Sequence, residues 1–162
     1  MLFFKSLIKF TKRVLLTFVR LQQNIDDLKV LHGNLLAKLN IRNTDEILSD
    51  IHKSEFKVFS QWGDDGIIQF LVNYLDIPVK TFIEFGVEDY TESNTRFLLI
   101  NNNWTGLIMD GSKRNIEYIK EDNIYWRYEL TAKHIFITKE NINEEIKNSG
   151  ICGQIGILHI DI

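Results

Sequence analysis

From Phe56 to Ile162 short β-rich apolar runs alternate with stretches whose apolar residues recur at helical spacing, a pattern that few folds accommodate. Gly63-Asp64-Asp65-Gly66 supplies a turn and capping side chains. Ile67, Ile68, Leu71, Val72 and Leu75 then mark a helix that Pro78 stops. Thr81 to Gly86 reads as a strand ended by its glycine, and Ser93 or Asn94 is placed to cap a helix over Thr95 to Ile100. Asn101-Asn102-Asn103 breaks the chain before a second strand, Trp104 to Met109, and Ser112 caps a helix running through Lys120. Ile124 to Leu130 reads as a third strand, Asn141 to Asn148 as a helix with Glu144 set for a capping box, and Ile155 to Ile162 as a fourth strand. Strands joined through single helices imply a parallel sheet with right-handed crossovers. The fold class expected is therefore α/β, a Rossmann-like parallel sheet with flanking helices, running to about four strands.

A long helix is expected to precede this domain. Phe4, Leu7, Thr11, Val14, Phe18, Leu21, Ile25, Leu28, His32, Leu35 and Leu39 follow at alternating steps of three and four, and nine of the eleven are apolar. A repeat averaging 3.5 residues holds one stripe against a partner helix, so self-association as a coiled coil is the first reading for residues 1–42. Phe3, Ile8, Phe10, Leu15, Leu16 and Val19 widen the apolar face within the first twenty residues, which also carry five cations and no acid. A helix lying in an anionic membrane surface is the second reading, and packing against the rest of the protein is the third. Lys5, Lys9, Lys12, Arg13 and Arg20 leave no uncharged run of the ~18 residues a bilayer span requires, and Lys9 to Arg13 breaks the apolar centre of a signal peptide. His32, at a seam position, reads as a register-setting or tolerated polar residue rather than a ligand. The polar stretch 43–55, opened by Asn43-Thr44-Asp45, is read as a linker that frees the helix from the domain.

Charge separates the same two parts. Residues 1–42 hold eight Lys/Arg against two acids, leaving eleven against twenty in the remainder, within an overall formal charge of −3. An acidic globular part argues against nucleic acid as a partner, because phosphate backbones call for a basic surface. The single cysteine, Cys152, excludes an intrachain disulfide scaffold or a Cys-rich zinc site and fits a reducing, cytoplasmic setting, with the helix offering peripheral membrane contact. No residues show metal-ligand spacing.

Open parallel sheets bind ligands at the carboxyl ends of their strands. Glu84-Phe85-Gly86 closes the first strand, Asp110-Gly111-Ser112 the second, and Asp161 ends the fourth, so three carboxylates are expected along one edge. Gly86 permits close backbone approach to a ligand, and Asp110, 24 positions on, is placed to accept hydrogen bonds from ribose hydroxyls. The loop from Gly86 to Ser93 has one glycine and three acids, which would repel a pyrophosphate and suit a cationic nucleoside cofactor such as S-adenosylmethionine. A dinucleotide oxidoreductase ranks behind it.

Phe59-Ser60-Gln61-Trp62-Gly63-Asp64-Asp65-Gly66-Ile67-Ile68, Phe82 to Val87 with Ser93 to Leu99, Asn103 to Ser112, and Leu158 to Ile162 together resemble an FkbM-like class I S-adenosylmethionine-dependent methyltransferase over about Phe56 to Ile162. The resemblance implies that Glu84 and Gly86 shape the methionine side of the cofactor site, that Asp110 binds the ribose, and that Gly111 and Ser112 pass near the adenine. It aligns Asp161 with the family's acid after the fourth strand, which makes it the one candidate catalytic carboxylate. Gln61 and Asp65 are placed to approach the cofactor from the preceding helix, with helix capping as the first reading for Asp65. Such enzymes are similar to O-methyltransferases acting on small or sugar-like acceptors. The chain departs from the pattern twice: the glycine-rich form of the first motif is absent, and the sequence ends at the fourth of about seven expected strands, leaving Ile155 to Ile162 as an open apolar edge. The competing class is a non-catalytic interaction protein, assembled by its helix, that keeps a vestigial half-domain. No His or Lys stands out as a general base. His159 reads as a buried hydrogen-bonded residue, and His52 and His134 give weaker signals.

Overall fold

A computed structural model describes residues 2–151 and 153–161. Met1, Cys152, Ile162 and the side chains of Leu2 and Phe3 lie outside the described residues. With them go the readings placed on the lone cysteine, on Phe3 in the wide apolar face, and on the last residue of the expected fourth strand. The sheet is formed by β1 (Thr81–Phe85), β2 (Thr105–Asp110), β3 (Leu130–His134) and β4 (Ile157–Ile160), all parallel, in the order β3-β2-β1-β4. Helices α1 (Leu2–Arg42), α2 (Thr44–Ser49), α3 (Asp64–Tyr74), α4 (Arg96–Asn102), α5 (Lys113–Glu121), α6 (Asn123–Arg127) and α7 (Ile142–Asn148) complete it. The expected Rossmann-like α/β architecture, with its long first helix, is the one observed. No described helix is long and apolar enough to cross a membrane.

Both faces of the sheet are covered over β1, β2 and β3, as a parallel sheet requires, while Leu158 and Ile160 of the edge strand β4 remain 48% and 53% exposed. Phe82, Ile108, Leu130 and Ala132 face a core completed by Leu98 and Leu99 of α4, Ile116 and Ile119 of α5, and Ile124 of α6. On the other face Ile83, Phe85, Leu107 and Met109 pack with Ile142 and Ile146 of α7 and with Ile135 and Ile137 beyond β3. Gly106 lies where a Cβ would sit 2.3 Å from the Phe82 ring, so the aromatic packs over bare backbone. Strand order reverses beside β1: β2 and β3 extend to one side and β4 to the other, which sets a crevice at the carboxyl end of β1.

Three sequence expectations are corrected. The expected third strand, Ile124 to Leu130, begins instead as a helical turn, because the Asp122 side chain accepts from Ile124 N at 2.8 Å and caps α6; β3 starts only at Leu130. Residues 43–55 are not a free linker. They form α2 and a 3-10 turn (Ile51–Ser54) with Ile47 and Ser54 buried, and Asn40 Nδ2 donates to Ser54 O at 2.8 Å. The C-terminal half of α1 is accordingly docked on the domain: Ala37 joins Phe56, Val58, Phe59 and Phe97 in one cluster, with Val30 and Leu36 packed against it. Gly33 makes that approach close, since a Cβ there would lie 2.5 Å from Val58 Cγ2 and 2.8 Å from Phe97 Cζ. The capping box at Glu144 does not form; Asn141 Oδ1 accepts from Thr138 N at 2.8 Å instead.

Candidate functional site

A cavity of about 850 Å³ opens at the carboxyl ends of β1 and β2. Glu84, Gly86, Asp110, Gly111, Ser112 and Asp161, the six residues singled out in the sequence, all line it, together with Gln61 from the loop before α3. They converge because β1, β2 and β4 are adjacent and parallel, so residues at their ends meet at one edge.

The loop after β1 is built by the buried Glu84. Its Oε2 accepts from Ser93 Oγ, from Thr95 Oγ1 at 2.5 Å and from Thr95 N at 3.3 Å, while Oε1 accepts from Asn94 N at 3.2 Å and lies 3.1 Å from His159 Nδ1. Burial raises the carboxyl's pKa, but the close His159 ion pair and the hydrogen bonds from Ser93 and Thr95 outweigh it and hold the group below the usual Glu range. His159, paired with Glu84 across the β1–β4 register, is raised above the usual histidine value mainly by that same ion pair. Glu84 therefore forms the floor of the cavity and positions residues 93–95, with its acceptor sites directed to the protein. Its observed role is that of a scaffold for the loop.

The rest of the loop folds back over the strand ends. Gly86 has φ 74° and donates its N–H to Met109 O at 3.0 Å, a left-handed backbone that glycine adopts without strain. Glu88 (φ 48°) and Tyr90 (φ 65°) also lie in the left-handed region, where a side chain costs energy, and each is held there. Glu88 N donates to Asp110 Oδ2 at 2.9 Å; the buried Tyr90 hydroxyl lies 3.1 Å from Thr95 Oγ1, and Arg96 Nη1 donates to Tyr90 O at 2.8 Å. Desolvation, reinforced by the Glu84 charge, pushes the Tyr90 phenol far above its usual range, so it stays protonated.

Asp110 Oδ1 accepts from Ser112 N at 2.7 Å and Asn115 Nδ2 at 3.2 Å, which leaves Oδ2, with its single bond from Glu88, holding spare acceptor capacity. Ser112 Oγ caps α5 by accepting from Asn115 N at 3.3 Å. At Gly111 a Cβ would lie 3.1 Å from Phe136 Cδ2, so the glycine leaves room for that ring. Asp161 is exposed at the rim, its N–H extending the β1–β4 ladder to Phe85 O at 3.1 Å. Asp65 is not at the cavity: Oδ2 accepts from Val58 N, Phe59 N and Ser60 N at 2.7, 2.7 and 2.9 Å, fixing the loop that carries Gln61, and burial raises its pKa against those bonds.

Sequence reasoning missed Ile135, Phe136 and Ile137, which line the cavity opposite the acidic loop. They follow β3, and displacing that strand toward Ile124 hid its carboxyl end. The signal was present as three apolar residues within the polar run from Lys133 to Asn141. Phe136 is 78% exposed, so most of its ring is open to an occupant of the cavity.

Comparison with protein-family models, curated proteins and solved structures returns no match. The chemistry must be read from the lining itself. Glu84, Glu88, Asp89, Glu92, Asp110 and Asp161 contribute carboxylates, and among the described residues none that lines the cavity is Lys, Arg or His. Among the described residues no three His, Cys, Asp or Glu side chains are grouped to hold a metal ion. The cavity thus combines a negative wall, an apolar and aromatic wall, and backbone at close range.

Proposed function

We propose that the cavity binds S-adenosylmethionine and that the chain carries the cofactor-binding portion of a methyltransferase acting on an oxygen nucleophile of a small or sugar-like acceptor. The carrying observation is the composition of this one cavity: Glu88, Asp89, Glu92, Asp110 and Asp161 line it with no cation among the lining residues, facing an exposed phenyl ring, at the strand-order reversal of a parallel sheet. A volume of about 850 Å³ falls within the range of nucleoside-sized ligand sites. The negative wall favours a ligand bearing sulfonium and ammonium charges and opposes a pyrophosphate, which disfavours a dinucleotide. Asp110 Oδ2 would accept from ribose hydroxyls, Gly86 would admit the ligand against bare backbone, and Phe136, seated on Gly111, would offer its exposed face to a flat base.

When bound, the cofactor supplies an electrophilic methyl group. The protein's share of the work is alignment of the acceptor oxygen and removal of its proton. Asp161, exposed at the rim beside the Gly86 strand end, is the carboxylate we assign to that proton.

Isothermal titration with S-adenosylmethionine tests the reading, with NAD as comparison. A micromolar heat signal for the first and none for the second is expected. Asp110→Ala should weaken binding by about 1–3 kcal/mol, five-fold to over a hundred-fold, through loss of a charged acceptor. No binding to the wild-type protein, or unchanged binding in the variant, overturns it.

A further inference from the structure

Helix α1 has two sides, and the domain uses only one. With Phe4 taken as position a and Leu7 as d of a seven-residue repeat, the residues that meet the domain are Val30 and Ala37 at f, Gly33 and Asn40 at b, and Asn34 at c. Leu36, at e, is grazed by the same cluster. Positions b, c and f are those a coiled coil leaves free of its partner helix. On the opposite side Leu21, Leu28 and Leu35 at d are 53%, 65% and 56% exposed, and Ile25 and Leu39 at a are also exposed. Docking on the domain therefore leaves the whole a/d stripe, from Phe4 to Leu39, without a partner in the described structure.

We propose that this stripe is the interface with a second copy of the same chain, aligned parallel and in register. The 3.5-residue spacing calls for another helix rather than a flat surface, because only a supercoiled partner stays in contact through five heptads. The polar residues choose the identical chain and its alignment: Thr11 and His32 both occupy a positions, and in a parallel, in-register pair each meets its own counterpart instead of an apolar d residue. The flanks agree, since the g-to-e′ pairs Phe10–Leu15′, Thr17–Gln22′ and Asn24–Lys29′ bring no like charges together. The nine apolar side chains at a and d are 37–70% exposed, and covering them would remove on the order of 800 Å² per chain, about what each partner of a stable interface buries. The domains, held on b, c and f, would point outward from the pair. This inference is independent of the cofactor reading.

Two measurements on the full chain test it. By sedimentation equilibrium at tens of micromolar, the wild-type protein should show the mass of at least two chains, and Leu21→Asp with Leu28→Asp should return it to one. Near-UV circular dichroism should be unchanged, because neither residue touches the domain. In a Cys152→Ser background, Leu28→Cys should give a disulfide-linked dimer under mild oxidation and Gln23→Cys, on the f side, should not. A wild-type monomer overturns the proposal, and so does an oligomer that survives both aspartates. A Leu28→Cys protein that crosslinks no better than Gln23→Cys refutes the parallel register. Pelleting of a monomeric wild type with phosphatidylserine vesicles would make the stripe a lipid-facing surface and would equally overturn it.

Discussion

Replacing Glu84 by glutamine keeps the shape of the side chain and removes its charge. In the structure both carboxylate oxygens accept from fixed backbone donors, Asn94 N on Oε1 at 3.2 Å and Thr95 N on Oε2 at 3.3 Å. A hydroxyl can rotate to suit an amide, but a backbone N–H cannot. Whichever way the substituted amide turns, its NH2 opposes one of these donors, and a buried donor left unpaired costs about 1–3 kcal/mol. Weakening of the remaining charge-assisted bonds from Ser93 and Thr95 brings the expected loss to roughly 2–4 kcal/mol, a large part of the ~5–15 kcal/mol that holds a domain together. Urea unfolding should report it as a lowered midpoint at constant slope.

The loss should also depend on pH. Glu84 has its folded pKa lowered, so its contribution is complete above the ordinary Glu range and disappears as pH falls through the folded value. His159 has its folded pKa raised, so its contribution is complete below the ordinary His range and disappears as pH rises through the folded value. The gap between wild type and Glu84→Gln should be widest between about pH 4.3 and 6.5, the unfolded values of the two groups, and should narrow on either side. A gap below about 0.5 kcal/mol at pH 5.5, or one constant from pH 3 to 9, would show that Glu84 does not organise the loop as described.

Two further substitutions separate site from scaffold. Phe136→Ala should weaken S-adenosylmethionine binding about ten-fold in titration while leaving the urea midpoint unmoved, because a ring 78% exposed contributes little to folding but much to a stacked ligand. Equal binding would remove the ring from the site. Gly33→Leu forces a side chain into Val58 and Phe97 and should cost about 1–3 kcal/mol by urea unfolding; an unchanged midpoint would mean that α1 does not dock through that face.

The order of strands and helices was readable because it is written in local patterns. Thr81 to Phe85 and Thr105 to Asp110 are apolar runs bounded by turn residues, and Ser112 caps its helix where its spacing said it would. Six lining residues were also legible, because a parallel sheet gathers its strand ends at one edge whatever its side chains. The misplaced third strand shows the limit: Ile124 to Leu130 has strand-forming residues, yet one cap from Asp122 turned the balance to a helix and moved the carboxyl end of β3, with Phe136, out of view. Composition likewise marked residues 43–55 as polar without revealing that Ile47 and Ser54 are buried.

What the sequence determined on its own is periodic or adjacent: α/β alternation, a long helix with a 3.5-residue stripe, and carboxylates one strand apart. What only the tertiary structure decided is which partner each group meets over long sequence separations. Glu84 finds Thr95 and His159, Asp110 finds Glu88, and Gly33 finds Phe97. A stripe in a sequence says that one side of a helix is apolar, whereas packing says which side the domain has already taken. Here the domain took b, c and f, because Gly33 and Ala37 are the residues small enough to let two phenylalanines and a valine approach the helix backbone.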